Sequence, residues 1–279
     1  MPRSLIPLLV VVATAPAWAR MVVRQSISIP GQPAGVASVY LPAAYDGGSD
    51  RYPVLVLLHG LGGAEEDWRT LGNIEATLDR AIAGGVIPPL IALIPDGRNG
   101  YWSDWPVDRP GTKWESLVEP AATRWLDGTY RTNGVRAIAG VSMGGFGALS
   151  IALRNSSRYV AVLSFSGALF TRTPSSKPVY WSAFGGPRPQ PDFIMRNPLH
   201  LARLGRADRL AVWLDCGRED APKFTRGLAE MARALESRGA DVRHRLRPGT
   251  HTWGVWNSAL AEALPWLGSR LAGARVPHG

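Results

Sequence analysis

The chain has 279 residues, a formal net charge of +9 and one cysteine, Cys216. That length suits one large α/β domain able to bury ample apolar surface, and a single cysteine excludes an internal disulfide, so stability must come from the core. Only three of the 31 basic residues are lysines (113, 177 and 223), and the arginines are scattered, which argues for a compositional bias and against a nucleic-acid-binding patch.

In chain order, Met1-Pro-Arg3, the apolar stretch from Leu5 to Ala15 and Ala17-Trp-Ala19 before Arg20 form the pattern of a secretory signal peptide, residues 1–19. A secreted or periplasmic protein is expected. The apolar stretch is shorter than the roughly 18 residues of a membrane span, so no stable membrane insertion is expected after cleavage. Residues 20–279 then form the single domain. Val22–Ile29 and Ala37–Leu41 are predicted as an antiparallel pair split by Pro30-Gly31. Val54–Leu58 is a continuous apolar run, the signature of a strand buried on both faces of a parallel sheet. Ile74, Leu78 and Ile82 keep helical spacing, and Gly84-Gly85 ends that helix. Leu90–Ile94 is the next strand. Thr112-Lys-Trp-Glu115 predicts a capping box opening a helix kinked near Pro120. Val135–Ala139 and Leu210–Asp215 read as further strands, and Gly145–Leu153 as a helix. Strands alternating with helices predict an α/β class with a doubly wound, mostly parallel sheet.

The chemistry concentrates where predicted strands end. Gly140-Val141-Ser142-Met143-Gly144 joins a strand to a helix, and a chain that reverses so sharply leaves the serine strained with its hydroxyl exposed, the glycines removing colliding side chains. Ser142 is the candidate nucleophile. His59-Gly-Leu-Gly-Gly63 ends another strand at the sheet's carboxyl edge, where open α/β sheets bind ligands. The backbone amides of Leu61 and Met143 are the candidate oxyanion-hole donors. Asp215, Glu219 and Asp220 stand at the end of a later strand pattern, and each could orient a histidine. His251 stands after the last strand and opens the last helix. His59 belongs to the glycine loop, His200 to a predicted helix, His244 to an Arg-rich strand and His278 to the tail, so His251 is the candidate base. The order Ser, acid, His is that of the α/β-hydrolases.

Together, LVLLHGLGG, IPDGRNGYWSDW, GVSMGGFGAL, LDCGRED and GTHTWGVW resemble the esterase D-type (putative esterase) branch of the α/β-hydrolases, from about Val54 to Trp266. That branch includes feruloyl and acetyl-xylan esterases, S-formylglutathione hydrolases and mycolyltransferases. The resemblance implies an α/β-hydrolase fold, Ser142 as nucleophile and His251 as base. It implies Asp220 as the acid, three residues after Gly217, with Glu219 and Asp215 as rivals. It also implies a serine esterase acting through an acyl-enzyme on a small-molecule or polysaccharide acyl ester. Mycolyltransferases carry arginine where this chain has Gly62, which favours hydrolysis over acyl transfer; a catalytically silent binding protein is the third alternative.

Residues 170–209 are rich in Pro, Gly, Ser and aromatics and long for a connection, so a cap insert beside the site is expected. Tyr180, Trp181 and Phe184 there are candidate substrate contacts, as are Trp102 and Asp104 in Tyr101-Trp-Ser-Asp-Trp105. Trp253 and Trp256 flank His251 and are expected chiefly to pack its loop. No metal-ligand spacing or nucleotide-binding loop occurs, so no cofactor is expected.

Overall fold

Strands made of consecutive apolar residues must be covered on both faces, and this requirement organises the whole molecule. A computed structural model describes residues 19–28, 33–104, 113–170, 195–205, 207 and 210–274. Its strands are β1 (Arg20–Ile27), β2 (Gly35–Leu41), β3 (Tyr52–Leu58), β4 (Ile91–Pro95), β5 (Thr132–Val141), β6 (Ala161–Phe165), β7 (Ala211–Gly217) and β8 (Asp241–Arg247). They form one eight-stranded sheet in the order β1-β2-β4-β3-β5-β6-β7-β8. β1 pairs with β2, and β2 with β4, in antiparallel fashion, and every later pairing is parallel.

Side chains alternate across a strand, so β3 sends Val54, Val56 and Leu58 to one face and Leu55 and Leu57 to the other. The first face is covered by α5 (Met143–Arg154), α6 (Pro198–Leu204) and α7 (Pro222–Glu236), together with helical segments α3 (Trp114–Ser116), Leu117–Ala122 and α4 (Thr123–Thr129). α2 (Ile74–Ala83) and α8 (Trp253–Gly273) cover the second, and the short α1 (Asp67–Thr70) lies in the loop after β3. α7 shows why such helices form: Phe224, Leu228, Met231 and Leu235 recur at three- and four-residue spacing and are buried, with Pro222 in the first turn, where its missing N–H costs nothing. Among the described residues, no helix is long and apolar enough to cross a membrane.

The predicted strands and the α2 and α5 helices are present with ends shifted by one or a few residues. β1 begins at Arg20 and is irregular between Val22 and Gln25, where Arg24 has a φ of 50°. The expected kink before Pro120 is a non-helical Glu119. The capping box is a correction. Glu115 is buried and pairs with Arg154 at 2.9 Å, and Thr112 lies outside the described residues. The acceptor at that helix start is Asp104 instead, which takes the Ser116 N–H at 2.9 Å and the Ser116 hydroxyl at 2.6 Å.

Asp215 lies in β7, under the sheet's edge, and accepts two hydrogen bonds from Arg247 at 2.7 and 2.9 Å. Both are buried, and burial pushes the Asp215 carboxyl above its ordinary range against the pull of Arg247. Removing one member of a buried pair strands the other's charge. Asp215→Ala is therefore expected to cost about 3 kcal/mol of stability, at the lower end for such pairs because Arg247 keeps Glu262 at 3.1 Å. Urea titration checks this; an unchanged midpoint and slope would refute it.

Candidate active site

The turn after β5 is built by glycines that nothing larger could replace. A Cβ on Gly140 would meet the Gly144 carbonyl oxygen at 2.2 Å, and one on Gly144 would meet the Leu58 oxygen at 2.1 Å. Between them Ser142 takes φ 54° and ψ −113°, a strained conformation for a residue with a side chain. The end of β6 and the loop after it hold it there: Ser142 N donates to Phe165 O at 2.9 Å, and Ser142 O accepts from Ala168 N at 2.9 Å. The Ser142 hydroxyl consequently stands at the carboxyl edge of the sheet, beside the first turn of α5.

His251 reaches it from the far side of the sheet. Its Nε2 is 2.9 Å from Ser142 Oγ, and its Nδ1 is 2.7 Å from Asp220 Oδ2. The ring is wedged by Phe224, stacked at 4.3 Å, and by Trp256, edge-on at 4.9 Å. The Asp220 side chain is 1 % exposed, and its other oxygen accepts the Ala221 N–H at 2.7 Å. A carboxylate on Nδ1 leaves the lone pair of Nε2 facing the serine, the tautomer that can take its proton. Of the three candidate acids, Asp220 is the one brought to His251. Asp215 is taken by Arg247, and the Glu219 carboxylate accepts from Gly249 N.

The glycine loop after β3 closes the other side. Gly60 lies against Ser142, since a Cβ there would stand 3.6 Å from the Ser142 Cβ. Gly62 has a φ of 81°, and its N–H donates to Asn99 Oδ1 at 2.7 Å, which ties the loop down. Leu61 is exposed on the cleft wall. Met143 N belongs to the first turn of α5, where amides lack partners within the helix. His59 is buried: Gly97 N donates to its Nε2 at 2.9 Å, and its Nδ1 lies 2.8 Å from Gly60 O. That histidine joins the glycine loop to the end of β4. The cleft itself is about 180 Å3 and is lined by Leu61, Asp67, Ser142, His251, Trp253 and Trp256, among others.

Trp102 corrects a sequence expectation. It is fully buried, its Nε1 donating to His59 O at 3.3 Å, and its ring fills space that Gly97 and Gly147 leave open. A φ of 53° at both Tyr101 and Trp102 turns this segment inward, so it plugs the core instead of facing the cleft. Asp104 is occupied by Ser116, as above. Trp181, with Tyr180 and Phe184, lies outside the described residues, as do residues 1–18 of the expected signal peptide. Of the 170–209 insert, the described ends are joined by Asn197, whose side chain caps α6 through Leu199 N and donates to Phe170 O at 2.8 Å.

Sequence reasoning gave no role to Asp67, a half-buried carboxylate in the cleft whose pKa burial pushes upward, or to Phe224 beneath the histidine. Asp67 stands in α1 and Phe224 in the first turn of α7, and neither belongs to a motif. Cys216 is buried as expected of a small core residue, burial pushing its thiol up to about 12, and its Sγ lies 3.7 Å from Asp220 Oδ2. Among the described residues no group of three or more His, Cys, Asp or Glu side chains is placed to hold a metal ion.

Comparison with known proteins gives the chain's family and fold. Residues 29–267 match the protein family described as "Putative esterase". The chain belongs to that esterase family. It is 33% identical over 150 residues to an esterase of Mycobacterium tuberculosis, covering 52% of this chain and 32% of that protein. It is 25% identical over 235 residues to an endo-1,4-beta-xylanase/feruloyl esterase of Xylanibacter ruminicola, covering 81% of this chain and 28% of that one. The chain thus spans less than a third of the length of either curated esterase relative. Among solved structures, a ferulic acid esterase superposes with a TM-score of 0.79 at 25% identity, over 91% of this chain and 99% of the other. The family member described here has the α/β-hydrolase fold, its mostly parallel sheet flanked by helices.

Proposed function

We propose that the chain is an exported serine esterase that hydrolyses carboxylic esters through an acyl-enzyme on Ser142. The observation that carries this reading is the unbroken line of hydrogen bonds from Ser142 Oγ through His251 to Asp220. Ser142 Oγ attacks the acyl carbonyl carbon as its proton passes to His251 Nε2, and the carbonyl electrons move onto oxygen. The amides of Leu61 and Met143 are the donors for that oxyanion, each worth about 3 kcal/mol of barrier in sites of this kind. Collapse expels the alcohol, which leaves with the proton from Nε2. Water then attacks the acyl-enzyme, gives a proton to His251, and releases the acid as Oγ recovers its proton. Asp220 stays ionised and steadies the imidazolium in both halves.

The cleft beside Ser142, about 180 Å3, gives room for an acyl group. Acylated polysaccharides present such groups, and the relatives named for feruloyl esterase activity favour that substrate class as well. Export is supported by the signal pattern ending at Ala19, with β1 starting at Arg20. Residues 20–279 would be the mature single domain.

Hydrolysis and acyl transfer are separated by supplying p-nitrophenyl acetate with and without a sugar acceptor and analysing products. Free acetate is expected as the dominant product in both. Acetylated sugar as the main product would replace the esterase reading with an acyltransferase.

A further inference from the structure

The histidine loop, residues 248–252, leaves β8 at Arg247 and must deliver one imidazole to two partners at once. The geometry points to Glu219 as the residue that holds it in place: we propose that the Glu219 carboxylate straps the His251 loop to the turn carrying Asp220. This rests on the reading of Ser142, His251 and Asp220 as the catalytic triad.

Three contacts converge on this seam. Arg218 N donates to Arg247 O at 2.7 Å, which extends the β7–β8 pairing one step beyond the Gly217–Arg247 register. Glu219 N donates to Gly249 O at 3.1 Å. The Glu219 carboxylate then accepts from Gly249 N, so a single residue grips both polar groups of Gly249. The two turns also touch directly, since a Cβ on Gly217 would meet Gly249 O at 2.2 Å. Gly249 itself has a φ of 117°, open to glycine and poorly to other residues, so no side chain restricts the backbone there and its contacts must hold it.

The sequence positions make the strap consequential. Glu219 immediately precedes Asp220, and Gly249 stands two residues before His251. Tying them fixes the separation of the carboxylate from the imidazole, and a misplacement of about 1 Å in such a constellation can cost a hundredfold in rate. Glu219 touches no reacting atom in this arrangement; it is a positioning residue. Its carboxylate is exposed, so water can replace part of its function and the full penalty is not expected.

Glu219→Ala removes the acceptor, and Glu219→Gln keeps a side-chain oxygen of the same reach without the charge. With p-nitrophenyl acetate, Glu219→Ala is expected to lower kcat about tenfold while KM stays within about twofold, the signature of lost alignment in the transition state. Glu219→Gln should recover at least half of the lost kcat. Proton NMR supplies a readout that general loosening of the fold would not move alone: the downfield resonance of the His251 Nδ1–H bonded to Asp220 should broaden or vanish in Glu219→Ala and return in Glu219→Gln, with the thermal midpoints unchanged. Wild-type kcat and an intact downfield resonance in Glu219→Ala would overturn the proposal. So would a Glu219→Gln enzyme as impaired as Glu219→Ala, which would assign the effect to charge, or a raised KM with unchanged kcat. Failure of the triad reading is visible separately, because Ser142→Ala would then remain active; failure of the strap alone leaves Ser142→Ala inactive and Glu219→Ala unimpaired.

Discussion

Ser142→Ala is expected to lower kcat for ester hydrolysis by about a millionfold and to abolish covalent labelling by a fluorophosphonate probe, with little change in thermal midpoint. The size follows from what is removed. Without Oγ, no acyl-enzyme can form, and the remaining rate is that of water attacking a carbonyl held against the amides of Leu61 and Met143. Stability should survive because the strain at Ser142 is in the backbone: φ 54° is as unfavourable for alanine as for serine, and the glycines at 140 and 144 that permit the turn are untouched. The bond lost is one from a part-buried hydroxyl to His251, which cleft water can replace. The measurements are initial rates at high enzyme concentration and gel detection of the probe. Activity within a hundredfold of wild type, or undiminished labelling, would remove Ser142 from the mechanism.

The sequence made the centre of this molecule readable because steric demands there are severe. A continuous apolar run such as Val54–Leu58 has few places to go other than a sheet covered on both faces, and it lies in the middle of the sheet. Gly140 and Gly144 were readable for the same reason, since each is in backbone contact that leaves no room for a Cβ. β6 carries no such signal. Ala161–Phe165 is five residues long, apolar but for Ser164, and comes soon after the apolar α5; so short a segment carries no period to separate strand from helix.

The rim of the site was harder to read because its outcome turns on single dihedral angles and local competition. Trp102 follows a strand end as a cleft residue would, but left-handed backbone at Tyr101 and Trp102 directs the indole under the sheet, where Gly147 makes room. Nothing in the spacing of Tyr101-Trp-Ser-Asp104 distinguishes these directions. Glu115 fits a capping box by position, yet Arg154 competes for it and Asp104 supplies the acceptor from ten residues upstream of the helix start. In both cases long-range packing decides, and local pattern is silent about it.

The three acids at the end of β7 show the same limit most sharply, and they carry the second large prediction. Asp220→Asn is expected to lower kcat about ten-thousandfold with the fold intact and KM little changed. Asparagine fills the same volume and its amide oxygen can still accept the Ala221 N–H, as Asp220 Oδ1 does at 2.7 Å. Its amide nitrogen would then face His251 Nδ1, now 2.7 Å from Asp220 Oδ2. An N–H donor there favours the imidazole with its proton on Nε2, and that nitrogen can no longer accept from Ser142 Oγ at 2.9 Å. Loss of the carboxylate also removes the charge that steadies the imidazolium as the oxyanion forms. Glu219→Ala, by contrast, should cost about tenfold, and a stability-corrected Asp215 variant still less, because neither carboxylate touches the ring. Should Asp220→Asn keep a tenth of wild-type kcat while Glu219→Gln or Asp215→Asn falls further, the acid has been misassigned, and the turn after Gly217 must rearrange during catalysis to present another carboxylate to His251.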